Sequence, residues 1–184
     1  MGILTKELLG LDGVFTIKVP VYRDNRGSFS EIYNQNLNKL FDSDIEWVQD
    51  NESISKKFVF RGLHFQKGSH SQSKLIRVSN GEILDVMVDL RNDSKTFKKL
   101  ITINIKSTNV FLFVPKGIAH GFLSLSDNTI VNYKCDNIYN SNSESGVNPF
   151  KSNLKIDWGV NLNKIKISKK DKGFPSLDES YIFD

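Results

Sequence analysis

Residues 74–90 read KLIRVSNGEILDVMVDL. Two runs rich in Leu, Ile and Val flank Asn80 and Gly81. Asn-Gly between apolar strands is the strongest short hairpin signal, because both central positions of a type I′ turn take positive φ. The stretch therefore predicts two strands paired through a two-residue turn. The same pattern spreads outward. GVFTIKV (13–19), KFVFRGLHF (57–65), KKLITINI (98–105), NVFLFV (109–114) and TIVNYKC (129–135) are rich in β-branched and aromatic residues, and many alternate with polar ones. DNRG, RNDS, PKG and SDN punctuate them as turns. One helix is expected around NQNLNKLFDSD (34–44), and NIYNSNSESG (137–146) reads as a surface loop. Many short strands with regular turns predict an all-β sandwich or barrel such as a jelly roll, with a few short helices. There is no internal repeat and no linker, so residues 1–184 are expected to form a single domain.

Composition narrows the class of function. The chain has 39% hydrophobic and 25% charged residues, and no apolar run approaches the ~20 residues of a membrane span. The start, MGILTKELLG, lacks an apolar core followed by a small-residue cleavage site, and Lys6 stands where a myristoylation signal has Ser or Thr. The single cysteine, Cys135, has no internal disulfide partner. These features predict a cytoplasmic protein with no membrane partner. The net charge is +4, and the densest basic run, KIKISKKDKG (164–173), has no interleaved aromatic platform, so no nucleic-acid partner is expected.

Three histidines limit the metal chemistry: His64, His70 and His120. A cupin-type barrel commonly ligates metal through His-x-His on one strand, whose alternate residues share a face. Here the residue two beyond His64 is Gln66, and no metal is expected. Proton transfer suits the residues better. By parity Gly62, His64 and Gln66 share a strand face, Lys74 opens the next strand, and Tyr133 shares a face with Val131 and Cys135. An imidazole, an ammonium and a phenol in one cavity suit proton abstraction beside a carbonyl, with the ammonium stabilising the enolate. Spacing alone also fits a structural histidine and a packing tyrosine.

Longer motifs carry a resemblance. RGLHFQ, QSKLIRVSNGEILDVMVDLR, VPKGIAHGFLSLS, YKCDNIY, IDWGV and ISKKD occur in this order, with DNRGSFSE and VQDNESIS before them. From about residue 14 to 175 the chain closely resembles the dTDP-4-dehydrorhamnose 3,5-epimerase family. The resemblance implies a metal-free, cupin-like jelly-roll barrel without cofactor, working as a homodimer. The implied substrate is a dTDP-sugar, dTDP-4-keto-6-deoxyglucose, on the route to dTDP-L-rhamnose. It implies that His64 is the base for the C3 and C5 protons, Asp171 its supporting carboxylate, Tyr133 the acid on the opposite face and Lys74 the cation beside the C4 oxygen. For substrate binding it implies Arg26 (reaching over from the partner subunit), Arg61, Glu31, Gln49, Asp50, Asn51, His120, Tyr139, Glu144 and Lys170.

The residues by themselves leave other readings open. Arg26 and Arg61 fit surface ion pairs, worth ~0–1 kcal/mol when exposed. His120 fits a buried structural imidazole, Asp50 a turn residue, Tyr139 an exposed side chain, and Glu144 and Lys170 a solvated surface. Ser28, Ser30 and Ile118 stand where the family often has aromatic residues, and SESGVNPF departs from its acidic loop. A C3-only epimerase and a non-catalytic sugar-nucleotide binder are the competing functions.

Overall fold

The computed structural model describes residues 4–41, 45–106 and 108–184. Among the described residues, thirteen strands run in chain order. The first half holds β1 (Thr5–Leu8), β2 (Phe15–Lys18), β3 (Tyr22–Asp24), β4 (Gly27–Phe29), β5 (Gln49–Ser55), β6 (Phe60–Gln66) and β7 (Lys74–Asn80). The second holds β8 (Ile83–Asp89), β9 (Leu100–Ile105), β10 (Val110–Val114), β11 (Ile118–Ser124), β12 (Thr129–Cys135) and β13 (Glu144–Gly146). A short α-helix, α1 (Lys169–Gly173), follows.

Two antiparallel sheets form the body. One has the order β1-β2-β10-β7-β12-β5 and the other β13-β6-β11-β8-β9. Their inner faces share one core, with Ile76, Val78, Leu112 and Val131 from the first sheet against Ile83, Met87, Ile118 and Phe122 from the second. The outer face of the second sheet, including Leu63, Phe65, Val86 and Val88, is covered by the C-terminal segment with Trp158. The outer face of the first, with Phe15, Leu75 and Phe113, is covered by Leu37, Phe41 and Ile45. Both sheets are thus buried on two sides over much of their area, which is why several strands read as continuous apolar runs rather than alternating ones. The architecture is the all-β, cupin-like jelly roll expected from the sequence.

The Asn80–Gly81 turn is where the expectation fails. The strands on either side do not pair: β7 belongs to the first sheet and β8 to the second. Only Gly81 of the two has positive φ, at 84°. A Cβ on Gly81 would lie 2.4 Å from Ser126 Oγ and 2.7 Å from Thr129 Oγ1. The glycine therefore serves a corner at which the chain crosses between layers, pressed against the turn before β12. Every residue of β8 is buried, so it needs neighbours on both edges and packing on both faces. It finds β9 and β11.

Smaller differences have similar causes. The expected helix is a 3-10 segment, Gln35–Leu40, whose N-cap Asn34 accepts from the Asn36 N–H; residues 42–44 lie outside the described residues, as does Gly2 of the N-terminal signal readings. The DNRG turn sits within a separate hairpin, β3–β4, all six of whose strand residues are exposed. The 137–146 loop ends in β13, which pairs with β6.

Candidate active site

A cavity of about 560 Å³ opens between the two sheets, and its walls come from different layers. His64 and His120 project from β6 and β11 of the second sheet, where they are register partners. Lys74 and Tyr133 project from β7 and β12 of the first, and all four line the same space. An imidazole and a phenol consequently face each other across a gap.

His64 reaches this position through an irregularity that parity reasoning did not foresee. His64 pairs with His120 but Arg61 pairs with Phe122, so β6 carries one residue more than β11 between these points. Gly62 is that residue, with φ 132°. A Cβ on it would lie 2.4 Å from the Cα of Gly121, so the two glycines let the strands touch. The bulge shifts the alternation. Arg61 and His64, three apart, both line the cavity, which strict alternation along β6 would not allow. His64 and Gln66 remain on one side, as expected.

The imidazole is oriented by Asp171. His64 Nε2 lies 3.0 Å from Asp171 Oδ1, and the carboxylate side chain is only 5% exposed. Ser168 caps α1 by accepting the Asp171 N–H, which anchors that residue in the first turn. The Gly62 N–H donates to Asp171 Oδ2 at 3.4 Å, so the bulge that aims the imidazole also holds its carboxylate. Burial alone would raise the Asp171 carboxyl, but the His64 bond and charge, Ser168 and Gly62 together hold it below its ordinary value. Phe174 packs edge-on against the imidazole at 5.6 Å.

On the other wall the groups are tuned by desolvation. Burial, and then Cys135, push the Tyr133 phenol up, with Arg61 opposing. Burial lowers the Lys74 ammonium, while Cys135, Asp85 and Glu144 offset part of that loss. The Cys135 thiol is pushed up to about 11 by burial, which makes it an inert neighbour rather than a nucleophile.

At the mouth, Tyr139 donates to Glu144 Oε2 at 2.6 Å and Lys170 Nζ donates to Glu144 Oε1 at 2.6 Å. These three line the mouth of the cavity together, with Tyr139 and Lys170 still exposed to solvent. Arg61 is steadied by Ser55 Oγ at 3.0 Å. Gln49 and Asn51 sit behind Tyr139: Gln49 Nε2 donates to Asn51 Oδ1, and Gln49 Oε1 accepts the Tyr139 N–H. Asp50 lies in β5, not in a turn, paired with Lys134 at 2.7 Å beside a separate cleft. Arg26 and Glu31 also lie apart from the cavity. Arg26, 86% exposed at the hairpin tip, pairs with Asp24, and Glu31 accepts from Asn34 beside a smaller cleft.

Asp85 went unnoticed in the sequence. It is fully buried in β8, with Oδ2 2.8 Å from His120 Nε2. Its Oδ1 has no hydrogen-bond partner among the described residues. Burial raises its carboxyl against the pull of His120 and Lys74. The signal was present, since a lone carboxylate in the middle of EILDVMVDL breaks an otherwise apolar strand. Among the described residues no three His, Cys, Asp or Glu side chains converge as a metal-ligand set.

Such a cavity can take a proton from a carbon on one side and return one from the other. Comparison with known proteins points the same way. A family model described as dTDP-4-dehydrorhamnose 3,5-epimerase matches residues 9–179. The dTDP-4-dehydrorhamnose 3,5-epimerase of Methanothermobacter thermautotrophicus is 41% identical over 175 residues, covering 94% of each chain. The crystal structure of the enzyme of that name from Elizabethkingia anophelis superposes with a TM-score of 0.90 at 39% identity, over 97% of this chain and 99% of the other. The Bacillus anthracis enzyme of that name, solved with TDP and pyrophosphate bound, gives 0.89 at 38% identity, over 95% of this chain and 100% of the other.

Proposed function

Since the chain belongs to the dTDP-4-dehydrorhamnose 3,5-epimerase family, we propose that its cavity inverts C3 and C5 of dTDP-4-keto-6-deoxyglucose, in dTDP-L-rhamnose-type deoxysugar biosynthesis. The observation that carries this reading is the placement of the His64–Asp171 pair and Tyr133 on opposite walls of one cavity. A C4 ketone acidifies both flanking C–H bonds. His64 takes each proton as general base, and Asp171 stabilises the imidazolium that forms. Lys74 stabilises the enolate oxygen. Tyr133 returns a proton to the other face, and inversion follows because base and acid stand on different sheets.

Tyr139, Glu144 and Lys170 form the nucleotide end of the cavity, with Arg61 and His120 along the sugar. The enzyme needs no metal or cofactor in this scheme, because the enolate is held by an ammonium and the Gln66 amide is already committed to backbone groups. The active unit is a homodimer. Arg26 and Glu31 lie outside their own cavity, on or beside a hairpin whose strand residues are all exposed, which suits delivery to a partner's site. The buried, unpaired Cys135 fits a reducing compartment such as the cytoplasm.

The decisive experiment is incubation with dTDP-4-keto-6-deoxyglucose in D₂O, followed by NMR. Deuterium at both C3 and C5, with inversion at each, is the expected result. Label at C3 alone would make the protein a single-centre epimerase, and no label would make it a binder.

A further inference from the structure

The segment that carries Tyr139 and Glu144 has no sheet partner until β13 begins, yet it is tied down along its length. Gln66 is the centre of the tie. Its side chain is buried, with 4% exposure for the residue, and lines a small separate pocket that shares Tyr139 and Glu144 with the cavity. Oε1 accepts the Asn140 N–H at 2.7 Å, while Nε2 donates to the carbonyls of His70 at 3.2 Å and Ile138 at 3.4 Å. One amide therefore grips the backbone on either side of Tyr139. The His70 ring completes the grip. Its Nε2 lies 3.1 Å from Asn140 Nδ2 and its Nδ1 3.0 Å from Ser143 Oγ. The Asn142 N–H donates to Asn140 Oδ1, which fixes the Asn140 amide so that its NH₂ faces the ring. His70 then accepts at Nε2 and donates at Nδ1 to Ser143.

We propose that Gln66, together with His70, is a positioning residue that sets the Tyr139–Glu144 wall and thereby controls how tightly the nucleotide end of the substrate is held. The inference rests on the functional reading above. Neither residue touches the proton-transfer groups through a hydrogen bond, so binding and chemistry should separate. Gln66→Glu keeps the size and an acceptor but sets a carboxylate oxygen against two carbonyls. Removing such support displaces a wall without removing any of its groups, so what is lost is binding shared equally by ground state and transition state.

The experiment compares wild type, Gln66→Glu and His70→Leu, each verified as folded by circular dichroism. Calorimetry gives the Kd for dTDP, and deuterium incorporation across substrate concentrations gives KM and kcat. Both variants are expected to raise Kd and KM about tenfold while kcat stays within about twofold of wild type, the pattern of lost uniform binding. Unchanged Kd and KM in a folded variant, or a loss confined to kcat, overturns the proposal. If Gln66→Glu fails to fold, His70→Leu decides by the same criterion. A wild type that neither binds dTDP nor exchanges label defeats the functional reading itself, and this proposal with it.

Discussion

Tyr133, the proposed acid, is kept protonated by its surroundings. Burial and the neighbouring Cys135 raise its phenol, so the proton stays in place near neutral pH. Tyr133→Phe removes that proton but leaves the His64–Asp171 pair and Lys74 intact. Abstraction should continue, and His64 should return most protons to the face they left. The variant is expected to incorporate solvent deuterium at C3 or C5 faster than it inverts either centre, followed by one NMR time course of label and stereochemistry. Inversion of both carbons at the wild-type rate would assign the acid to another group. At this scale the gathering of His64, Lys74, Tyr133 and Asp171 around one cavity was legible, because each lies in a distinctive short string. Asp85 was not, since its partners His120 and Lys74 arrive from other strands. A charge inside an apolar strand gives no hint of what it will face.

Strand pairing was less legible than strand existence. Most of the apolar runs are strands, but β5, with the sequence QDNESIS, is polar and was visible only as a motif. It lies at the edge of its sheet, where one side of the backbone needs no apolar cover. The Asn80–Gly81 corner misled because a glycine with positive φ serves a hairpin and a layer crossing equally well. What separates the two is the packing of Ser126 and Thr129 against it, which is encoded far along the chain. The bulge at Gly62 is the element on which the site most depends. Gly62→Ala adds a Cβ 2.4 Å from Gly121 Cα and 2.9 Å from the His120 carbonyl oxygen, at a φ of 132°. The backbone penalty is about 1–3 kcal/mol, and the collision with fixed backbone adds to it. A fall of at least ~2 °C in Tm is expected, at ~2–4 °C per kcal/mol for a chain of this size. Exchange activity should fall with it even below the new midpoint, because both the His64 direction and the Gly62 bond to Asp171 move. An unchanged melting curve and full activity would remove the bulge from the account.

For the whole molecule, the proposed dimer makes each site depend on two chains. Arg26→Ala lacks the reaching arginine and His64→Asn lacks the base, so each alone should be impaired. In a mixed dimer the Arg26→Ala chain keeps its own His64 and receives Arg26 from its partner, which restores one complete site. Half the dimers in an equimolar, re-associated mixture are mixed, so about a quarter of wild-type activity should return. Recovery no greater than the mean of the two variants would mean that each chain uses its own arginine. The layer crossing at Gly81 has a further effect, on how the molecule is made. Because strands from β5 onward, β8 and β9 apart, alternate between the two sheets, ladders close over long stretches of chain: Lys18 pairs with Val110, and His64 with Gly146. Such closures are slow, since loop entropy is lost before the contact repays it. On the ribosome the first sheet waits for β10 and β12, and His64 remains without its carboxylate until residue 171 has emerged. Apart from the local pairs β1–β2, β3–β4 and β8–β9, the strands of the nascent chain thus wait unpaired for much of its synthesis, exposed to aggregation and to chaperones, and the His64–Asp171 pair forms only at the end.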